Sequence, residues 1–225
     1  MELIQKHNAV LFEEYATNGP ASFGPYSSYT WRHDPKHVLF TLARYKFSAK
    51  MLAGKKRALE VGCGDAIGAP LLLQTVESLH CLDLEALVIE DNIRRLGQSD
   101  RLRFETLDIL EAAPEGSFDA VVSLDVVEHI DAAREQRYMA NIAKSLSRDA
   151  VAVIGMPNVT AERYASPNSR DGHINLKSHA ALSEFLAPWF DNVFLFSMND
   201  EVVHTGFYPM AHYLMAVCSG LRQGT

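Results

Sequence analysis

From Arg57 onward, short apolar runs alternate with helical stretches, and this alternation admits few architectures. Ala58–Val61, Ser78–Leu82, Leu102–Thr106, Phe118–Leu124 and Ala150–Met156 read as strands. Ile67–Val76, Glu85–Leu96 and Ala133–Leu146 read as helices between them. A near-continuous apolar strand such as FDAVVSL is buried on both faces, as in a parallel sheet covered by helices. The expected fold is a doubly wound α/β sheet. At the end of the chain Leu176–Leu186 reads as a helix, and Asn192–Phe196 and Tyr213–Cys218 as strands. No helix separates those last two, so they are expected to run antiparallel. The count is then seven strands, mostly parallel.

The first 54 residues follow another pattern. A helix is expected from Ile4 to Tyr15, followed by an irregular stretch at NGPASFGP. A second helix is expected over 35–52, with Pro35 in its first turn and Val38, Leu39, Leu42, Tyr45 and Leu52 at helical spacing. Gly54 stops it. The expected division is a helical cap over residues 1–54 that covers substrate, and a ligand-binding domain over 55–225. A chain of 225 residues suits that arrangement.

Charge and cysteine content exclude some functions. There are 21 Lys+Arg against 28 Asp+Glu, a formal charge of −7. Nucleic-acid affinity comes largely from cations on phosphates, so no nucleic-acid partner is expected. The nearest basic cluster is GKKR at 54–57, which reads as a helix end. Cys63, Cys81 and Cys218 form neither a C-x-x-C pair nor a zinc spacing. The start of the chain lacks signal-peptide order, and no apolar run approaches a membrane span. A cytoplasmic protein without membrane insertion is expected. The oligomeric state is not legible, and a homodimer stays open.

The stretch ALEVGCGDAIGAP, Ala58 to Pro70, carries the most chemical information. A strand runs into Gly62 and Gly64, and a helix follows. Glycines let the backbone turn sharply and approach a ligand, and the helix start offers unpaired N–H groups. Dinucleotide enzymes use G-x-G-x-x-G for this purpose. Here the third glycine, Gly68, falls one place late. Glu60 precedes the turn, and a negative charge there suits an ammonium or sulfonium better than a pyrophosphate. A tight turn without any ligand remains an alternative.

Two further acids point to a nucleoside. Asp83 ends the second strand 21 residues after Gly62, close to the ~20 expected for an acid that holds ribose hydroxyls. Asp108 follows the third strand and could accept from an adenine amine, with Ile109 packing on the ring. Each lies at a strand's carboxyl end, beside the crevice where open α/β sheets bind ligands.

Together E-V-G-C-G-D, CLDLE, ETLDIL and FDAVVSLDVVEHI resemble the class I S-adenosylmethionine-dependent methyltransferases over about residues 55–218. The resemblance implies a Rossmann-like sheet of seven strands and S-adenosylmethionine as cofactor. It implies that Gly62, Cys63 and Gly64 hold the methionine part, and that Glu60 favours its ammonium directly or through water. Asp83 would take the ribose, with Leu84 beside the adenine. Asp108 and Ile109 would hold the adenine edge, and Leu124 and Asp125 would line the sulfonium. The family's turn often has a glycine where Ala66 stands.

A hydroxyl acceptor must lose a proton, and histidine has the natural pKa for that task. His129 in LDVVEHI and His173 in SRDGHINLKS are the candidate catalytic bases. Each could instead order the backbone around it. Asp125, Glu128 and His129 form D-x-x-E-H, which divalent cations favour. Glu128 and His129 are neighbours that need not point the same way, so no metal is assigned. The acceptor site is sought in SFGPYSSYTWRHDP, in 158–177 and in 199–209. These contain Tyr26, Tyr29, Trp31, Arg32, Tyr164, Arg170, His204, Phe207 and Tyr208. Arg44 and Lys46 are expected to be solvated rather than to face a ligand. Such aromatics suit a sugar or a small organic hydroxyl compound. The leading expectation is O-methylation of a small molecule. The alternatives are a nucleic-acid methyltransferase, a cofactor-binding pseudo-enzyme and a nicotinamide-dependent oxidoreductase.

Overall fold

A computed structural model describes residues 5–222. The sheet has eight strands in the order β3-β2-β1-β4-β5-β8-β6-β7. They are β1 (Arg57–Val61), β2 (Ser78–Asp83), β3 (Leu102–Thr106), β4 (Phe118–Leu124), β5 (Leu146–Pro157), β6 (Phe190–Asn199), β7 (Val202–His204) and β8 (Tyr213–Leu221). The first five are parallel, while β8 runs antiparallel to both β5 and β6. One strand more than the expected seven is present. The three residues of β7 fold back on β6 inside what reads as a loop.

Alternation along each strand divides the core between two faces. Leu59, Val61, Val121 and Ile154 face a layer formed by α6 (Glu135–Ser145) and α8 (His179–Leu186). Ala58, Val122 and Val153 face α3 (Pro35–Met51), α4 (Ala69–Leu72) and α5 (Ala86–Leu96). Tyr138, Met139 and Ile142 of α6 and Leu52, which caps α3, are fully buried. A domain of this size derives most of its stability from such apolar burial.

The N-terminal segment holds two further helices, α1 (Ala9–Asn18) and α2 (Pro25–His33). The expected first helix begins at Ile4, which lies outside the described residues, and within them the α-helix starts at Ala9. The stretch after Gly24 is helical rather than irregular, with Pro25 at its start. The expected helix over Ile67–Val76 contracts to Ala69–Leu72, because Ala66 (φ 53°) and the residues around it form a turn first. Leu39, expected to face inward, is exposed. The α3 face that does turn inward carries Val38, Tyr45 and Ala49 and also Arg44, which is only 7 % exposed.

The strand order reverses between β1 and β4. Their carboxyl ends therefore diverge into a crevice, the usual ligand site of an open α/β sheet. A chain running β1-β2-β3 to one side and β4-β5 to the other creates this gap.

Candidate active site

The crevice holds a cavity of about 850 Å³. Gly62, Cys63, Gly64, Asp83, Leu84, Asp108, Ile109, Leu124 and Asp125 line it, as do His129 and His173. Eleven of the twelve residues expected from sequence thus share one space, although they come from five loops.

The glycine turn is built by hydrogen bonds as well as by glycine. Gly62 (φ 72°) and Cys63 both donate their N–H to the Leu82 carbonyl, at 2.9 Å each. A Cβ on Gly62 would stand 2.3 Å from Val126 Cγ2, so β4's exit packs directly against β1's exit. Gly64 N–H donates to Asp83 Oδ2 at 2.9 Å, and Glu85 N–H donates to Asp83 Oδ1 at 3.0 Å. Asp83 therefore ties the turn to the end of β2, with lone pairs left for a ligand. Asn92 donates to the Gly64 carbonyl at 2.7 Å from below. Leu110 N–H orients Asp108 by donating to its Oδ1 at 2.8 Å.

Glu60 stands apart. It is 2 % exposed and does not line the cavity. Tyr45 O–H donates to Glu60 Oε1 at 2.7 Å, and Cys81 Sγ lies 3.3 Å from Oε2. Burial pushes its carboxyl up to about 7, against the opposing pull of those two donors. Gly68, the displaced third glycine, belongs to the same cluster. A Cβ there would fall 2.0 Å from Tyr45 Cδ1, so its role is to admit the tyrosine ring.

Three further contributors, from the glycine turn, α3 and the turn after β4, were not assigned to the site from sequence. Asp65 accepts from Ser27 N–H at 2.6 Å and Ser27 Oγ–H at 2.8 Å, which pins the start of α2 over the glycine turn. Arg44 of α3 is solvated in expectation but buried in fact. It reaches Asp125 and lies 3.8 Å above the Tyr213 ring. Lys46, by contrast, is exposed as expected. The third is Glu128, which is fully buried with neither carboxylate oxygen hydrogen bonded among the described residues. Burial foremost, then the neighbouring Asp125 charge, pushes its carboxyl up to about 9.

Glu128 and His129 lie in a tight 3-10 turn, Val127–His129, just beyond β4. His129 Nδ1 lies 2.9 Å from the Gly172 carbonyl, so loop 158–177 is held against the turn. Asn175 N–H adds a second tie, to the Glu128 carbonyl at 3.0 Å. His173 consequently stands beside His129, with ring centroids 5.2 Å apart. Burial lowers the His173 pKa, and the His129 charge lowers it further. Of the aromatic and basic residues expected around the acceptor, Tyr26 lines the cavity. Trp31 and Phe207 are exposed, at 54 % and 69 %, and pack neither into the cavity nor into the core.

Comparison with known proteins accords with this geometry. A family model described as a methyltransferase domain matches residues 59–152. Uncharacterized methyltransferases of Mycobacterium tuberculosis and Mycobacterium bovis are 29 % identical over 129 residues, 57 % of this chain and 60 % of theirs. The chain thus spans about three fifths of the length of these curated relatives. Over residues 59–152 this chain is similar to a methyltransferase domain.

Solved methyltransferases share the fold. The N-methyltransferase NodS from Bradyrhizobium japonicum, in complex with S-adenosylhomocysteine, has a TM-score of 0.62 at 17 % identity. The match covers 96 % of this chain and 99 % of NodS. The plantazolicin methyltransferase BpumL, also bound to S-adenosylhomocysteine, has a TM-score of 0.63 at 14 % identity, covering 87 % and 89 %. Among the described residues, no helix is long and apolar enough to cross a membrane.

Proposed function

We propose that this protein transfers a methyl group from S-adenosylmethionine to the hydroxyl of a small organic acceptor, of sugar or natural-product type. The observation that carries this reading is the shared cavity. Asp83 and Asp108 stand on its β2–β3 side and His129 and His173 on its β4–β5 side, with Asp125 between. Carboxylates on one wing suit ribose and adenine, and imidazoles on the other suit an acidic acceptor proton.

When bound, S-adenosylmethionine supplies a methyl group on a sulfonium that is already a good leaving group. The chain's own task is then largely positioning. Gly62, Cys63 and Gly64 cradle the methionine part. Asp83 accepts from the ribose hydroxyls, and Leu84 packs beside the adenine. Asp108 accepts from the adenine amine, with Ile109 on the ring. Leu124 and Asp125 line the sulfonium. Glu60 acts at one remove, through Tyr45 or water, because its oxygens are already engaged. Residues 1–54 serve as the cover and 55–225 as the cofactor-binding domain. The imidazoles of His129 and His173 provide for removal of the acceptor proton.

The net charge of −7 supports a small molecule over a nucleic acid. Three free, buried cysteines support a reducing, cytoplasmic setting. Calorimetry with S-adenosylhomocysteine and with NAD tests the cofactor: binding of the first alone is expected, and its absence overturns the reading. His129→Asn and His173→Asn test the proton's route. Wild-type turnover in both variants, with cofactor affinity intact, would show that neither imidazole serves it.

A further inference from the structure

Glu128 has a carboxylate without a partner, in a protein that hydrogen bonds most of its buried polar groups. It is 0 % exposed, and both oxygens lack a donor among the described residues. Arg44 Nη1 is taken by Asp125, and Arg44 Nε, though buried, donates to neither Glu128 oxygen. An acid so enclosed is costly unless a proton or a cation answers it.

The surroundings identify which. Glu128, His129 and His173 each offer one ligand atom, and the three atoms lie within 4.8 Å of one another. One ion bound at about 2.0–2.2 Å from each would need them within about 4.4 Å, a small closure for side chains. The sequence offers no sign that neighbours 128 and 129 converge. The 3-10 turn makes them do so, and loop 158–177 then delivers His173 from the other side.

His129 is already set as a metal-binding histidine would be. A carbonyl can only accept, so Nδ1 carries the proton toward Gly172 and Nε2 keeps a free lone pair. Ligating histidines are commonly oriented by donating the other ring N–H to a carbonyl in this manner. A Cβ on Gly172 would meet the His129 ring at 3.4 Å, so the accepting carbonyl sits close against the ring.

We propose that Glu128, His129 and His173 bind one divalent cation of the first transition series, with Mn²⁺ and Zn²⁺ as its probes. Two imidazole nitrogens and one carboxylate oxygen favour this class over Ca²⁺ or Mg²⁺. Three protein ligands leave coordination positions open, the pattern of a catalytic rather than a structural ion. Both histidines line the cavity, so those positions face the acceptor side.

The binding stands on the geometry alone, while its use rests on the methyl-transfer reading. A hydroxyl oxygen on the ion loses its proton to water more readily. That oxygen's electron pair then forms the bond to the methyl carbon. The carbon–sulfur bond breaks with its pair going to sulfur, which leaves as a neutral thioether. The two imidazoles serve the proton's departure as ligands.

The test uses tag-free full-length protein stripped with EDTA. Mn²⁺ is titrated in and followed by loss of the free-ion electron paramagnetic resonance signal, and Zn²⁺ binding is followed by calorimetry. One ion per chain is expected. Glu128→Gln and His173→Asn should weaken it at least about tenfold. S-adenosylhomocysteine affinity, measured on the same samples, should change less than about threefold in those variants, because neither residue is assigned to the cofactor. Circular dichroism confirms that each variant is folded. No stoichiometric binding to the folded wild type, or equal binding by the variants, overturns the site. If S-adenosylhomocysteine binds and Mn²⁺ does not, the metal inference falls and the cofactor reading stands. If Mn²⁺ binds and S-adenosylhomocysteine does not, the site stands and the methyltransferase reading falls.

Discussion

Arg44 Nη1 bridges both carboxylate oxygens of Asp125, at 3.1 and 2.8 Å, and so fastens α3 to the carboxyl end of β4. Asp125 adopts a left-handed backbone (φ 58°), which only a few non-glycine residues tolerate. The Tyr213 ring lies beneath the guanidinium, so β8 joins the same contact. One arginine thus links the N-terminal helices, the crevice and the antiparallel end of the sheet.

Replacing Arg44 should loosen all three. Arg44→Met leaves Asp125 next to Glu128 without a cation. The Asp125 side chain is 38 % exposed, so solvent softens the loss to about 1–2 kcal/mol rather than the larger cost of a fully buried pair. Thermal denaturation should show the drop. Calorimetry should show weaker S-adenosylhomocysteine binding, and unchanged binding would mean that the link does not shape the cofactor site.

Asp83→Ala removes two bonds that shape the turn as well as the proposed ribose acceptor. Losing charge-assisted bonds worth about 1.5–3 kcal/mol each should weaken S-adenosylhomocysteine binding by about 10²-fold. Asp83→Asn keeps one acceptor oxygen and should fall between. Equal affinities in all three proteins would remove Asp83 from the site.

Gly68→Ala drives a methyl group into the Tyr45 ring. Overpacking of this kind costs about 1–3 kcal/mol. The ring cannot yield without disturbing its bond to Glu60, so damage should appear both as lower stability and as altered Glu60 titration. A variant as stable as wild type would show that the ring has room to move.

Glu60 makes stability depend on pH. Its folded pKa, about 7, is raised above the unfolded value of 4.5. The folded state therefore binds the extra proton, and this contribution is complete below pH 4.5 and lost as pH rises through 7. Glu60→Gln should gain on wild type by up to about 3 kcal/mol between pH 5 and 8, with Tyr45 still donating to the amide oxygen. Urea denaturation at several pH values measures the difference. Parallel pH profiles for the two proteins would contradict it.

Patterns within short windows were legible in the chain. Phe118–Leu124 agrees with the structure to the residue, because a strand covered on both faces needs an unbroken apolar run, and the edge strand Leu102–Thr106 agrees as well although only Phe104 of it is buried. The helix α3 was legible from Pro35 and its periodicity. The first turn of α2 was not, since Tyr26-Ser27-Ser28 has no apolar period and is held by Asp65 from far along the chain. The strand β7 was equally silent, because its three residues gain their pairing only from β6.

The sequence by itself determined the alternating core, the glycine turn and the two acids at strand ends. Each depends on the chemistry of residues within one strand and its loop. Only the tertiary structure decided that Arg44 is buried on Asp125, that Ser27 is anchored on Asp65, and that Glu128, His129 and His173 converge. Those contacts join segments 38 to 81 residues apart, apart from the local pair at 128 and 129. A hydrogen bond across such a distance imposes no periodicity on either partner, and it exists only once the packed sheet has brought them together.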